Sequence, residues 1–188
     1  MKIYPITPAF DIRYIPKIEE FFAEGNIFLQ LRDKTAGLPE TERFITAVME
    51  ASAPYPNAEI ILNSYNNFTK TGKDLVEYYG LAGEQHSTAS LRLPLKRDKR
   101  INFLSAHNMN DIICAEKNNF DFITLSPVFY TLSHPENTTP LGLNRFRELC
   151  EKSKLPVFAL GGITEENFHL FENIKNCSGA ALIRGFFS

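Results

Sequence analysis

Apolar residues along this chain alternate between two spacings. Short runs, apolar throughout or at every second position, give way again and again to stretches where apolar residues recur every three or four positions. The runs Lys2–Thr7, Ile27–Leu31, Glu59–Asn63, Ile101–Ser105, Phe122–Leu125, Val157–Leu160 and Ala180–Ile183 are predicted strands, with the shorter Leu81-Ala82-Gly83 fourth in order. Between them the 3.6-residue period predicts helices. Tyr14–Ala23 puts Ile15, Ile18, Phe21 and Phe22 on one face and ends at Gly25. Thr41–Ala51 is introduced by Pro39-Glu40-Thr41-Glu42, and Asn108–Lys117 has Asn108 as its N-cap. Leu75–Tyr79, Leu143–Glu151 and Glu165–Asn173 complete the set. From Tyr65 to Arg92 the chain is polar and poorly periodic.

Regular strand–helix alternation predicts a parallel sheet, and eight strands predict its closure into an α/β TIM (β/α)8 barrel rather than a doubly wound open sheet. At 188 residues the chain is short for that fold, which typically takes about 250, so the barrel is trimmed. Only five residues follow Ile183, so the last helix is missing or very short. No linker, low-complexity tract or charge block divides residues 1–188, which read as a single domain. A missing last helix would leave an apolar face between the first and seventh helices, with Phe186 and Phe187 at its edge. A homodimer is the expectation there; the alternative is that the two phenylalanines fold back and plug the gap.

The 44% hydrophobic and 22% charged fractions are those of a globular domain. A net charge of -2 provides no positive field to recruit nucleic acid or anionic lipid. No run approaches the roughly 18 apolar residues of a membrane span, and no cationic, apolar leader precedes the first strand, so the cytoplasm is the expected setting. Cys114, Cys150 and Cys177 are widely spaced and read as reduced thiols.

Chemistry enters at the strand ends. Gln30, Arg32 and Lys34 recur with period two and so point the same way. Strands of a parallel barrel are covered on both faces, so this row is read as reaching the barrel mouth. Arginine, with its bidentate fork, and lysine, as a point charge, suit phosphate. A hydroxyl-rich loop, Ser126–Pro135, follows the Phe122–Leu125 strand, and Ala159–Thr164 carries a Gly161-Gly162 turn that opens a helix. Paired glycines admit an anion close to the backbone. The combination predicts an enzyme with a phosphorylated ligand. His134, among hydroxyls, is a candidate acid or phosphate ligand; His107 reads as orienting its loop, His169 as lying on a solvated helix face, and the four histidines lack zinc-ligand spacing.

These motifs together resemble the thiamin phosphate synthase and TenI superfamily, from about Ile27 to Phe187. Leu29–Lys34 is similar to the family's Q-x-R-x-K strand end and Ser105-Ala106-His107 to its S-x-H. Leu125–Thr131 is similar to its G-P-[VI]-x-x-T and Leu160–Ile163 to its glycine loop. The segment from Leu125 to Pro135 also resembles the synthase-like domain fused to some Nudix hydrolases. The resemblance implies a magnesium-assisted transferase joining hydroxymethylpyrimidine pyrophosphate to a thiazole phosphate. Carried over by position, Gln30, Arg32, Lys34 and Asn63 would hold pyrophosphate and Ser105 would lie by the pyrimidine. Thr131 and Ser133 would bind pyrophosphate or thiazole phosphate; Gly161 and Gly162, with the backbone at Ile183 and Arg184, would receive the thiazole phosphate. His134 stands where the family has lysine. One magnesium carboxylate is replaced by Ser64; the second falls at Ser90 or is displaced into Gly83–Ser87, with Glu84 the first candidate. No metal ligand is assigned. The tautomerase histidine of TenI falls at Pro127. The resemblance therefore leaves three activities to separate: the synthase, a TenI-like thiazole tautomerase, and a non-catalytic binder of thiamin precursors.

Overall fold

Eight parallel strands pair in the order β1-β8-β7-β6-β5-β4-β3-β2. They are β1 (Lys2–Pro5), β2 (Phe28–Leu31), β3 (Glu59–Asn63), β4 (Gly83–Ser87), β5 (Ile101–Ala106), β6 (Phe122–Leu125), β7 (Val157–Leu160) and β8 (Cys177–Leu182). The ring closes just past β1. Ile6 bridges Gln30, and the Thr7 N–H donates to the Gln30 carbonyl at 3.0 Å. The Thr7 hydroxyl then takes over the ladder, accepting from the Arg32 N–H at 2.8 Å and donating to the Arg32 carbonyl at 2.9 Å. This is a computed structural model, and it describes residues 1–68, 72–89, 91, 95, 99–131 and 139–187.

The helices are α1 (Ile15–Ala23), α2 (Leu38–Ser52), α3 (Leu75–Tyr79), α4 (Met109–Lys117), α5 (Gly142–Lys152), α6 (Glu165–Phe168) and α7 (Arg184–Phe187). Asn108 caps α4 as expected, its side chain accepting from the Asn110 and Asp111 N–H groups. The predicted helix Glu165–Asn173 is instead one turn of α6 continued by a 3-10 turn, His169–Phe171. Trimming is therefore spread around the ring: α3, α6 and α7 are short, and no helix joins β4 to β5 among the described residues.

Strand alternation divides the core. Inward-facing Tyr4, Phe28, Phe103, Phe122 and Phe158 form an aromatic plug, with ring centroids 4.8 Å apart for both Tyr4–Phe103 and Phe103–Phe122. Each fully buried aromatic is worth about 1.5–3 kcal/mol, and offset or edge contacts add to it. Outward-facing residues build two shells against the helices. One centres on α4, α5 and β5–β8; the other joins α1, α2, β2 and β3. Phe187 belongs to the second, 4.8 Å from the ring of Tyr14, and Phe186 meets Phe21 at 5.1 Å. The two phenylalanines thus pack against α1 and Tyr14 within the chain, in the fold-back arrangement, with Phe186 still partly exposed.

β4 departs from expectation. The predicted strand Leu81–Gly83 lies four residues early at its C-terminal end, because the strand itself reads Gly-Glu-Gln-His-Ser and has no apolar pattern. Gln85 and His86 are satisfied by partners on other strands, which the sequence of β4 does not reveal. β8 likewise starts at Cys177 rather than Ala180, leaving Ile183 just beyond it.

Candidate active site

Above the aromatic plug, toward the C-terminal ends of the strands, polar side chains cross the barrel. Asn63 Nδ2 donates to Gln30 Oε1 at 3.0 Å, and Gln30 Nε2 donates to the Tyr4 hydroxyl at 3.1 Å and to Gln85 Oε1 at 3.2 Å. Gln85 Nε2 donates onward to Ser105 Oγ at 3.0 Å and Thr124 Oγ1 at 3.3 Å. β1 to β6 are tied together by one belt. Burial pushes the Tyr4 hydroxyl's pKa well above its ordinary value, against the hydrogen bond from Gln30, so it stays protonated.

Of the predicted strand-two row, Gln30 faces inward into the belt; β2 ends at Leu31, with Arg32 half-buried just past it and Lys34 exposed in the loop beyond. The period-two reading fails at Asp33 because that carboxylate gathers the loop around itself. It accepts from the Phe10 N–H at 2.9 Å, the Thr35 N–H and hydroxyl at 2.7 Å, and the Ala36 N–H at 3.1 Å. Burial disfavours the Asp33 anion, but these donors outweigh it and hold the pKa below the usual carboxylate value. Asn66, fully buried, pins the same loop through the Asp33 N–H and carbonyl.

Arg32 is half-buried, and its guanidinium has no hydrogen bond or ion pair among the described residues. Burial lowers its pKa, with the Asp33 charge opposing. A desolvated cation without a partner among the described residues is a place for an anion.

The loops after β6, β7 and β8 converge. The Val128 N–H donates to the Leu160 carbonyl at 2.9 Å and the Phe129 N–H to the Gly161 carbonyl at 3.0 Å. Gly161 and Gly162 have φ of +99° and +64°; a Cβ at Gly161 would lie 2.8 Å from Pro127, and one at Gly162 would lie 2.3 Å from the Tyr130 carbonyl oxygen. The glycine pair is thus required by packing as well as by turn geometry. On the other side, a Cβ on Gly185 would lie 3.5 Å from the Ile163 carbonyl, so the turns carrying Gly162 and Ile183-Arg184 are neighbours. Thr131 is half-buried in the loop after β6; Ser133 and His134 lie outside the described residues. His107 holds that loop, its Nδ1 donating to the Ser126 carbonyl at 2.8 Å.

Magnesium does not fit the donors described. It prefers carboxylate oxygen together with phosphate, and the belt offers amides, hydroxyls and a cation. No cluster of three acidic, histidine or cysteine side chains suited to a metal occurs among the described residues. Ser64 opens a 3-10 turn, and Ser90 is outside the described residues. Glu84, the first candidate for a displaced carboxylate, faces away from the axis, alternate to Gln85. It sits beside Asn67, with its carboxylate 3.9 Å from His86, and burial raises its pKa against the opposing His86 charge. Two open grooves of about 310 and 500 Å³ lie at the other end of the barrel, near Glu59, Ala82 and Ile101, away from this chemistry.

Comparison with known proteins decides the family. A family profile described as thiamine monophosphate synthase matches residues 3–186. The chain belongs to the thiamine monophosphate synthase family. Among its relatives in this family, "Putative thiamine-phosphate synthase 2" of Aquifex aeolicus is 33% identical over 98% of this chain and 95% of its own. A thiamine-phosphate synthase of Clostridium novyi is 26% identical over 80% of this chain and 72% of its own. The solved thiamine phosphate pyrophosphorylase of Pyrococcus furiosus superposes with a TM-score of 0.78 at 22% identity, covering 97% of this chain and 85% of that one, which establishes the shared barrel. Within the family frame, the residues that sequence reading missed are Gln85, Thr124, Tyr4 and Thr7. Thr124 had a signal, as the polar residue alternate to Phe122 in an apolar strand; Gln85 had none outside the correct extent of β4.

Proposed function

We propose that this protein is a thiamine phosphate synthase, joining hydroxymethylpyrimidine pyrophosphate to thiazole phosphate. The observation that carries the reading is the half-buried Arg32 guanidinium, without a hydrogen-bond or ion-pair partner among the described residues and two positions beyond Gln30 of the polar belt, in a chain of this family. The pyrimidine C–O bond breaks and its electron pair leaves with pyrophosphate. The thiazole nitrogen then forms the new C–N bond, giving thiamine phosphate. Arg32, with Lys34 at the rim, stabilises the charge developing on the leaving group, which needs no general base. Gln30 and Asn63 line the same side, and Ser105 lies opposite. Thr131, Ser133 and His134 serve the phosphate-bearing loop; Gly161, Gly162, Ile183 and Arg184 receive the thiazole phosphate on backbone N–H groups. All three cysteines are free, which supports a reducing, cytoplasmic setting. No helix among the described residues is long and apolar enough to cross a membrane.

Incubating the purified protein with both substrates and following thiamine phosphate by chromatography tests the reading. Product formed by the native chain and lost in Arg32→Ala supports it. Binding of both substrates without product identifies a non-catalytic binder, and isomerisation of thiazole carboxylate phosphate identifies a tautomerase.

A further inference from the structure

The amide belt has a direction, and a backbone group sets it. Asn63 Oδ1 accepts from the Tyr65 N–H at 3.1 Å. A backbone N–H can only donate, so the Asn63 oxygen must face it and Nδ2 must face Gln30. Gln30 then presents Oε1 to Asn63 and Nε2 to Gln85. If the Gln85 amide were turned over, its NH2 would meet the NH2 of Gln30, donor against donor. Gln85 therefore presents Oε1 to Gln30 and, at 3.5 Å, to Tyr4, and its Nε2 hydrogens to Ser105 at 3.0 Å and Thr124 at 3.3 Å, with the His86 carbonyl a longer third contact at 3.5 Å.

The consequence falls on the two hydroxyls. Each accepts from Gln85, and neither donates to an acceptor among the described residues. Thr124 is only 1% exposed and Gln85 2%, so water competes poorly for this arrangement. We infer that Gln85 is a positioning residue: through the relay from Asn63 it holds the half-buried Ser105 hydroxyl as a hydrogen-bond donor to an acceptor atom, a ring nitrogen or phosphate oxygen, of the bound ligand, while the buried Thr124 hydroxyl fixes its second amide hydrogen. The inference rests on the synthase reading for the ligand, and on the hydrogen-bond pattern alone for the relay.

Gln85→Glu keeps the size and reverses the sign of the contact. As a carboxylate, residue 85 only accepts, so the Ser105 and Thr124 hydrogens both turn toward it, and the Ser105 hydrogen is lost to the ligand. As a carboxylic acid it again accepts from Gln30 and offers one hydrogen where the amide offers two, so one of the two hydroxyls is released from it. Groups facing it are Tyr4 from β1, Gln30 from β2, Ser105 from β5 and Thr124 from β6, none of them charged in the working range. Arg32 is the cation just past the end of β2, and Glu84 and His86 lie on the opposite face of β4. Burial would raise the new carboxyl above the ordinary value of about 4.3.

Calorimetry with thiamine phosphate, each variant normalised to native protein at the same pH, should show Gln85→Glu binding about tenfold more weakly at pH 8. Affinity should recover as the pH falls toward 5. Gln85→Met should lose affinity equally at both, as a purely packing role would in either variant. Unchanged affinity of Gln85→Glu at pH 8, or a loss without recovery in acid, overturns the inference. NMR of the native protein decides the relay without a variant: NOEs from the Gln85 amide protons to Ser105 and Thr124 support it, and NOEs to Gln30 instead overturn it. Native protein that fails to bind thiamine phosphate removes the synthase reading and leaves the relay to that NMR result.

Discussion

Changing Arg32 to alanine should separate binding from stability. Its main-chain N–H and carbonyl are both held by the Thr7 hydroxyl and survive the change. The guanidinium itself has no partner among the described residues and is disfavoured by burial, so unliganded Arg32→Ala should unfold at or slightly above the native temperature. Ligand binding should suffer instead. Hydrogen bonds to charged groups are worth roughly 1.5–3 kcal/mol each, so losing a bidentate pair at the low end is about 3 kcal/mol, or about 150-fold in Kd. Inorganic pyrophosphate at about 100 times the native Kd stabilises the native chain by about 2.7 kcal/mol, and the variant by about 0.3 kcal/mol. For a domain of this size that is a rise in Tm of roughly 5–10 °C against about 1 °C. Thermal unfolding with and without pyrophosphate reads both quantities, and Lys34→Ala, changing an exposed side chain, should lose much less. A variant that is several degrees less stable without ligand, or pyrophosphate shifts that are equal in native and Arg32→Ala protein, would refute the assignment of Arg32 as an anion site.

Asp33→Asn should destabilise at pH 7 by removing acceptor capacity from the loop. Because the folded pKa is depressed, the contribution of the anion is complete above the unfolded value of about 3.9 and is lost as the pH falls through the lower folded value; denaturant titrations should show the gap to native protein closing in acid, and a constant gap would contradict this. Gly162→Ala should cost about 1–3 kcal/mol through its clash with the Tyr130 carbonyl, on top of its positive φ; full stability with weakened phosphate binding would show that the glycine serves the ligand alone. Phe187→Ala should cost about 3 kcal/mol at any protein concentration, because its ring packs within the chain; a native Tm that climbs with concentration would point back to a dimer. Synthase turnover should survive EDTA, since Glu84 faces away from the barrel axis; activity abolished by chelation and restored by magnesium would show a carboxylate entering the site from elsewhere.

The apolar runs made seven of the strands legible, because a strand buried on both faces must be apolar on both, and a two-residue alternation or a continuous run records that. β4 escaped the same reading. Its inward Gln85 is buried against other polar side chains, so burial left no hydrophobic trace. Gln30 was legible as an inward side chain, while Lys34 was not correctly placed, because Asp33 ends the alternation by collecting four hydrogen bonds from two loops. The glycine pair was legible as a turn; its packing against Pro127 and Tyr130 was not.

Local pattern alone determined the order of elements, the parallel barrel and the presence of cations and glycines at strand ends, since each depends on residues within a few positions of one another. Tertiary structure decided that Phe186 and Phe187 pack against α1 and Tyr14, that Thr7 completes the ring, and that Gln85 faces the hydroxyls it does. Those outcomes are distances between residues far apart in the chain, such as the 81 positions separating Tyr4 from Gln85. A hydrogen bond acquires its direction only when both partners, and the partners of those partners, are in place.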